Sequence, residues 1–84
     1  MLGTNGLSVA HGLTTPDRDE AATKRAMVAS ARRTVLLADA TKIGVESSLR
    51  FATVKEIDVI VTDDSISEND RRALDRAGVE VVVA

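Results

Sequence analysis

The residues best able to recognise a polar ligand lie in the run Asp39-Ala40-Thr41-Lys42-Ile43-Gly44, where an acid, a hydroxyl, a lysine and a glycine share one short segment. A carboxylate there accepts hydrogen bonds from sugar hydroxyls, and an ammonium three residues on offers a point charge to a phosphate. The pair suits a phosphorylated polyol. The same residues also suit a plain turn, with Asp39 capping the following chain and Lys42 in solvent.

Other candidates carry similar double readings. Glu20 and Lys24 stand four apart in the order that favours a helical ion pair, so they are either a surface pair or part of a crevice rim. Asn5-Gly6 and Thr14-Thr15 can offer amides and hydroxyls to an anion, or serve as a turn and a cap. Asp63, followed by Asp64, ends an apolar run as Asp39 does, and this acid pair suits either Mg²⁺ or capping and solvent exposure. His11 is the single histidine and there is no cysteine, which argues against a zinc site, a disulfide scaffold and a thiol nucleophile. No nucleophile has a neighbouring base, and no Walker or G-x-G-x-x-G loop occurs. No cofactor is expected.

These groups need a scaffold, and 84 residues allow one small domain. With 44% apolar and 29% charged residues the chain is globular, its core aliphatic because Phe51 is the lone aromatic. That leaves no stacking platform for bases or sugar rings, so recognition must rest on charge and backbone groups. Eleven basic residues against thirteen acidic ones supply no field for a phosphate backbone, so the chain is not expected to hold DNA by itself. Its opening lacks the form of a signal peptide and no stretch reaches the ~20 apolar residues of a membrane span. A soluble, cytoplasmic protein is expected.

Three aliphatic runs, Thr34 to Ala38, Ile57 to Thr62 and Val79 to Val83, do not alternate with polar residues and read as buried parallel strands. Met1 to Thr15, with three glycines, reads as a strand end and a loop. Thr14-Thr15-Pro16-Asp17 signals the start of a helix running to about Ala31, with an Ala22, Ala26, Ala29 stripe for close sheet packing and Arg32 and Arg33 closing its end. A short helix is expected over Ser47 to Thr53. A clearer one follows the capping box at Ser67 to Asp70 and ends at Gly78. The class is therefore α/β: a three-layer, open, mainly parallel, Rossmann-like sheet with helices on both faces. Ligands of such sheets bind beyond the carboxyl ends of the strands, where Asp39 and Asp63 stand. So small a sheet leaves edges unpaired, and self-association as a homodimer or larger species is expected.

Taken in order, Gly3-Thr4-Asn5-Gly6-Leu7, Gly12-Leu13-Thr14-Thr15-Pro16, Glu20-Ala21 with Lys24-Arg25-Ala26-Met27, Leu37-Ala38-Asp39-Ala40-Thr41-Lys42-Ile43-Gly44, and Val61-Thr62-Asp63 resemble the C-terminal effector-sensing domain of DeoR-family bacterial transcriptional regulators. The resemblance covers nearly the whole chain. It implies a fold similar to sugar-phosphate isomerases and a phosphorylated-sugar effector whose binding weakens operator affinity. The D-x-x-K element of the family matches Asp39 and Lys42, and its helix acid and lysine match Glu20 and Lys24. It further implies that residues 1–84 are the C-terminal half of such a sensor, without the winged helix-turn-helix. Two rival functions remain at this level, an isomerase-like enzyme using Asp39 or Asp63 for proton transfer, and a dimerisation module without ligand.

Overall fold

A computed structural model of the chain describes residues 2–84. Four strands, β1 (Leu2–Gly3), β4 (Val35–Leu37), β6 (Val59–Thr62) and β7 (Glu80–Val83), form one sheet in the order β1-β4-β6-β7, with every pair parallel. A second, antiparallel sheet is built from β2 (Gly6–Ser8), β3 (Gly12–Thr15) and β5 (Leu49–Ala52) in the order β2-β3-β5. Two helices complete the α/β architecture, α1 (Arg18–Ser30) and α2 (Glu68–Arg76). Short 3-10 turns at Ala40–Lys42 and Val54–Glu56 link β4, β5 and β6.

The three aliphatic runs form the parallel strands β4, β6 and β7 as expected, but β7 is not buried: it lies at the sheet edge with Val82 and Val83 exposed. The expected helix over Ser47 to Thr53 does not form; residues 49–52 instead pair with β3, Leu13 opposite Ala52 and Thr15 opposite Leu49. Seven residues are too few to nucleate a stable helix, and the open edge of β3 satisfies the same backbone groups while Phe51 and Ala52 enter the core. The glycine-rich opening is likewise more ordered than a loop, because it supplies three strands.

Helix starts follow local chemistry with one shift. Asp17, rather than either threonine, caps α1 by accepting from the Glu20 amide at 3.1 Å, while the Thr15 hydroxyl accepts from the Asp17 amide at 3.3 Å. Ser67 caps α2 through the Asp70 amide, and Gly78, with φ +90, ends it. The alanine stripe of α1 points away from the core: Ala22, Ala26 and Ala29 are exposed, and Ala21 and Val28 face inward instead. Arg32 and Arg33 lie beyond the last turn of α1 rather than within it.

Sheet order decides how the layers are distributed. Because β1, β4, β6 and β7 follow one another across the sheet in chain order, right-handed crossovers all return over the same face. Helices therefore do not flank both faces. Leu2, Leu36 and Ile60, neighbours on one face, join Val28 of α1, Leu74 of α2 and Leu7, Leu13 and Phe51 of the small sheet in a single core. Val35, Leu37, Val61 and Val82 alternate to the opposite face, where Leu37 is 52% and Val82 38% exposed.

Candidate functional site

The carboxyl ends of the parallel strands gather most of the candidate residues along one edge. Asp39 and Asp63 follow neighbouring strands β4 and β6 and line one cleft of about 400 Å³ with Leu37, Ala38, Val61, Thr62 and Ala84. The two are tied together: Asp63 Oδ2 accepts from the Ala40 amide at 3.1 Å, directly after Asp39. The other oxygen of Asp63 accepts from the Ser65 amide at 2.9 Å and from the Ser65 hydroxyl. These donors, the Ser65 hydroxyl first and then the Ala40 amide, hold the Asp63 carboxyl below its ordinary range. Asp63 is thereby committed to shaping the loop.

Asp39 is the more available acid. It is exposed, and one oxygen accepts from the Thr41 hydroxyl at 2.5 Å. The chain then turns tightly, with the Lys42 amide donating to the Asp39 carbonyl at 3.0 Å, and the Gly44 amide donates to the Leu7 carbonyl at 2.7 Å. That bond, with the bridge between Leu7 and Ile43, pins the loop against β2, next to Asn5 and Gly6. Lys42 is half-buried and makes no ion pair among the described residues. An acid and a free ammonium are thus held on a rigid turn, which suits recognition of a ligand with both hydroxyls and a negative charge.

Glu20 and Lys24 lie at the same edge but in a different groove, of about 510 Å³, lined also by Leu2, Gly3, Asp17, Asp19, Thr23 and Met27. Lys24 Nζ pairs with Glu20 at 2.5 Å and donates to the carbonyl of Gly3, at the end of β1, at 2.8 Å. It also sits 5.5 Å from the centre of the Phe51 ring, a cation–π distance. The ion-pair reading is therefore realised, and it holds the lysine over the end of the sheet. Asn5 is exposed between β1 and β2. Gly6 is not a turn residue but the first residue of β2, buried where a Cβ would overlap the Val45 carbonyl and lie 2.8 Å from the Thr14 hydroxyl. Its absent side chain lets the 43–45 loop pass.

Several sequence candidates are spent inside the fold. Thr14 and Thr15 are buried, and Thr14 accepts from the Ser47 amide at 2.9 Å. His11 pairs with Glu46 at 2.6 Å, and no cluster of three metal-ligating side chains occurs among the described residues. The sheet order also contains no reversal among the described strands, so the cleft at Asp39 and Asp63 is an open edge rather than a crevice at a switch point.

Arg25 and Glu56 are the pair that spacing did not reveal. Arg25 donates to both oxygens of Glu56, at 2.8 and 2.5 Å, and to the Phe51 carbonyl at 3.0 Å, which fastens α1 to the end of β5 beside Lys24. The guanidinium, then the Thr53 amide, push the Glu56 carboxyl down to about 2. The available signal was Thr53-x-x-Glu56, a capping box that marks a turn beginning at Thr53.

The chain matches the family model described as the DeoR C terminal sensor domain over residues 1–64. It is 47% identical over 82 residues to the HTH-type transcriptional regulator GlpR of Haloferax volcanii, covering 98% of this chain and 32% of that protein. It is 35% identical over 83 residues to the HTH-type transcriptional repressor GlcR of Bacillus subtilis, covering 99% and 32%. The HTH-type transcriptional regulator GolR of Listeria innocua is 30% identical over 84 residues, covering 100% and 33%. The chain thus spans about a third of the length of the curated relatives it matches.

Proposed function

This chain belongs to the DeoR family through its C-terminal sensor domain, a family of transcriptional regulators rather than enzymes, and from that premise we propose that it reads a phosphorylated sugar. The observation that carries this reading is the pinned turn from Asp39 to Gly44, which presents an exposed carboxylate and an unpaired lysine at the carboxyl edge of the sheet. Asp39 accepts from sugar hydroxyls and Lys42 pairs with the phosphate. Asp63 positions that turn and Gly6 gives it room. Glu20 and Lys24 line the neighbouring groove, where a longer ligand finds further polar contacts, and Asn5, exposed between β1 and β2, offers another.

In this reading the 84 residues sense the effector and do not contact the operator. Their charge balance is acidic, and α1 and α2 are separated by strands β4 to β6 rather than joined by the short turn of a DNA-reading helix pair. Residues 1–84 act as the C-terminal half of a sensor. No described helix is long and apolar enough to cross a membrane, and a cytoplasmic location follows from the proposed role.

Titration calorimetry against aldose and ketose phosphates, each beside its unphosphorylated parent, tests the assignment. Lys42→Ala should lower affinity for the phosphorylated member by roughly 1.5 to 3 kcal/mol and leave the parent nearly unchanged. Asp39→Asn should weaken both. Equal losses from Lys42→Ala for the two members would remove the lysine from the phosphate site. Turnover of any panel member would contradict a pure sensor, and a mobility shift that survives competitor DNA would contradict the division of labour.

A further inference from the structure

Thr62 closes β6 after Val59, Ile60 and Val61, and it is 4% exposed, yet its hydroxyl oxygen has no hydrogen-bond partner among the described residues. Thr14 and Thr15, just as buried, each accept from a backbone amide, that of Ser47 and that of Asp17. A buried hydroxyl left alone destabilises a fold, and valine, of the same shape, would remove that cost. Such groups are rare in native chains and concentrate where a fold serves a ligand. The place of Thr62 fits this. One step beyond the last pair of β4 and β6, Leu37 with Val61, come Ala38 and Thr62, and each is followed by one of the two acids of the cleft. Of the described side chains lining that cleft, the carboxylates of Asp39 and Asp63 only accept hydrogen bonds and the others besides Thr62 are aliphatic. The threonine hydroxyl is therefore its one side-chain donor.

We propose that Thr62 is a specificity-determining residue of the effector site, donating its hydroxyl hydrogen to the carbonyl or ring oxygen that distinguishes a sugar from the corresponding alditol. This rests on the reading of the cleft as a phosphorylated-sugar site. There Asp39 takes the hydroxyl donors of the ligand and Lys42 its phosphate. The carbonyl or ring oxygen has no hydrogen of its own, so neither acid can hold it, and the threonine can. A site that offers a donor at that point favours the ligand that brings an acceptor there. In the free fold the Thr62 oxygen has almost no open surface, so the contact needs a turn about χ1 that carries the hydroxyl from one staggered position to the next. The bond to the ligand then supplies the partner that the fold does not.

Two measurements on the full chain and on Thr62→Val decide the matter: titration calorimetry against the sugar phosphate that the wild type binds best and the alditol phosphate made by reducing its carbonyl, and urea denaturation without ligand. Valine keeps the shape of the side chain, so the variant should be at least as stable as the wild type while its affinity for the sugar phosphate falls roughly five- to tenfold, as the loss of one neutral hydrogen bond requires. The alditol phosphate should lose less, and the preference for the sugar should narrow. Thr62→Ser restores a hydroxyl and drops the methyl group that valine keeps, so it should recover most of the affinity. A Thr62→Val chain that binds the sugar phosphate like the wild type overturns the proposal and leaves the reading of the cleft intact. So does an equal loss for sugar and alditol, or a variant less stable than the wild type, which would mean that the hydroxyl is bonded within the fold. A wild type that binds no sugar phosphate removes the reading of the cleft, and the role of Thr62 with it.

Discussion

The small antiparallel sheet and the carboxyl edge of the parallel sheet use the same residue types to opposite ends. In the antiparallel sheet, threonines are buried and bonded and Gly6 and Gly12 are pressed against backbone, while beside it Arg25 of α1 and Glu56 of the turn after β5 are joined by two bonds. At the carboxyl edge, Gly44 borders open space, Lys42 has no acid partner among the described residues and Asp39 is exposed. Polar groups satisfied within the fold stabilise it. Those held in place but left open are free to bind something else.

Glycine substitution should show the sharpest contrast. Gly12 has φ +84, and a Cβ there would overlap the Ala52 carbonyl, so Gly12→Ala combines backbone strain with overpacking and should cost about 2 to 5 kcal/mol. Gly44 has a similar φ of +90 with nothing near its missing Cβ, and Gly44→Ala should cost about 1 to 2 kcal/mol from backbone strain alone. Urea denaturation of both variants measures the difference. Equal losses would mean that the close approach at Gly12 relaxes.

The Arg25 and Glu56 pair comes next. Both side chains are partly exposed, so solvent screening keeps the loss in Arg25→Ala well below that in Gly12→Ala. Its pH dependence is more specific. Glu56 ionises near 2 in the fold and near 4.5 when unfolded, so its contribution is complete above about pH 4.5 and fades as pH falls toward 2. Melting curves from pH 6 to pH 2 should therefore fall less steeply for Glu56→Gln than for the wild type, and parallel curves would refute the linkage.

The smallest effect on stability is expected at the open edge. Lys42→Ala should change unfolding by less than about 0.5 kcal/mol, since the lysine makes no ion pair in the fold. A loss near that of Arg25→Ala would show that Lys42 is committed to the fold in the way Arg25 and Glu56 are.

Much of the scaffold was legible from short-range signals. Ser67 to Asp70 and Gly78 bracket α2, and unbroken aliphatic runs mark β4, β6 and β7. Asp39 and Asp63 were placed correctly at neighbouring strand ends because a residue that ends an apolar run also ends the strand. Residues 49–52 were misread as helix because their state depends on β3, more than thirty residues away in sequence. The exposed alanines of α1 show the same limit, since a stripe of small residues has no intrinsic inside or outside.

The sequence by itself determined the strands β4, β6 and β7, the two helices and which acids stand at strand ends, because capping, glycine conformation and unbroken apolar runs act over a few neighbours. Only the tertiary structure decided the strand order. That order, through the constant hand of the crossovers, put every covering element on one face, left the other bare, and brought Arg25 to Glu56 and the Asp39 turn to β2. Pairings across long stretches of chain depend on which surfaces meet once the core closes, and no local pattern records that choice.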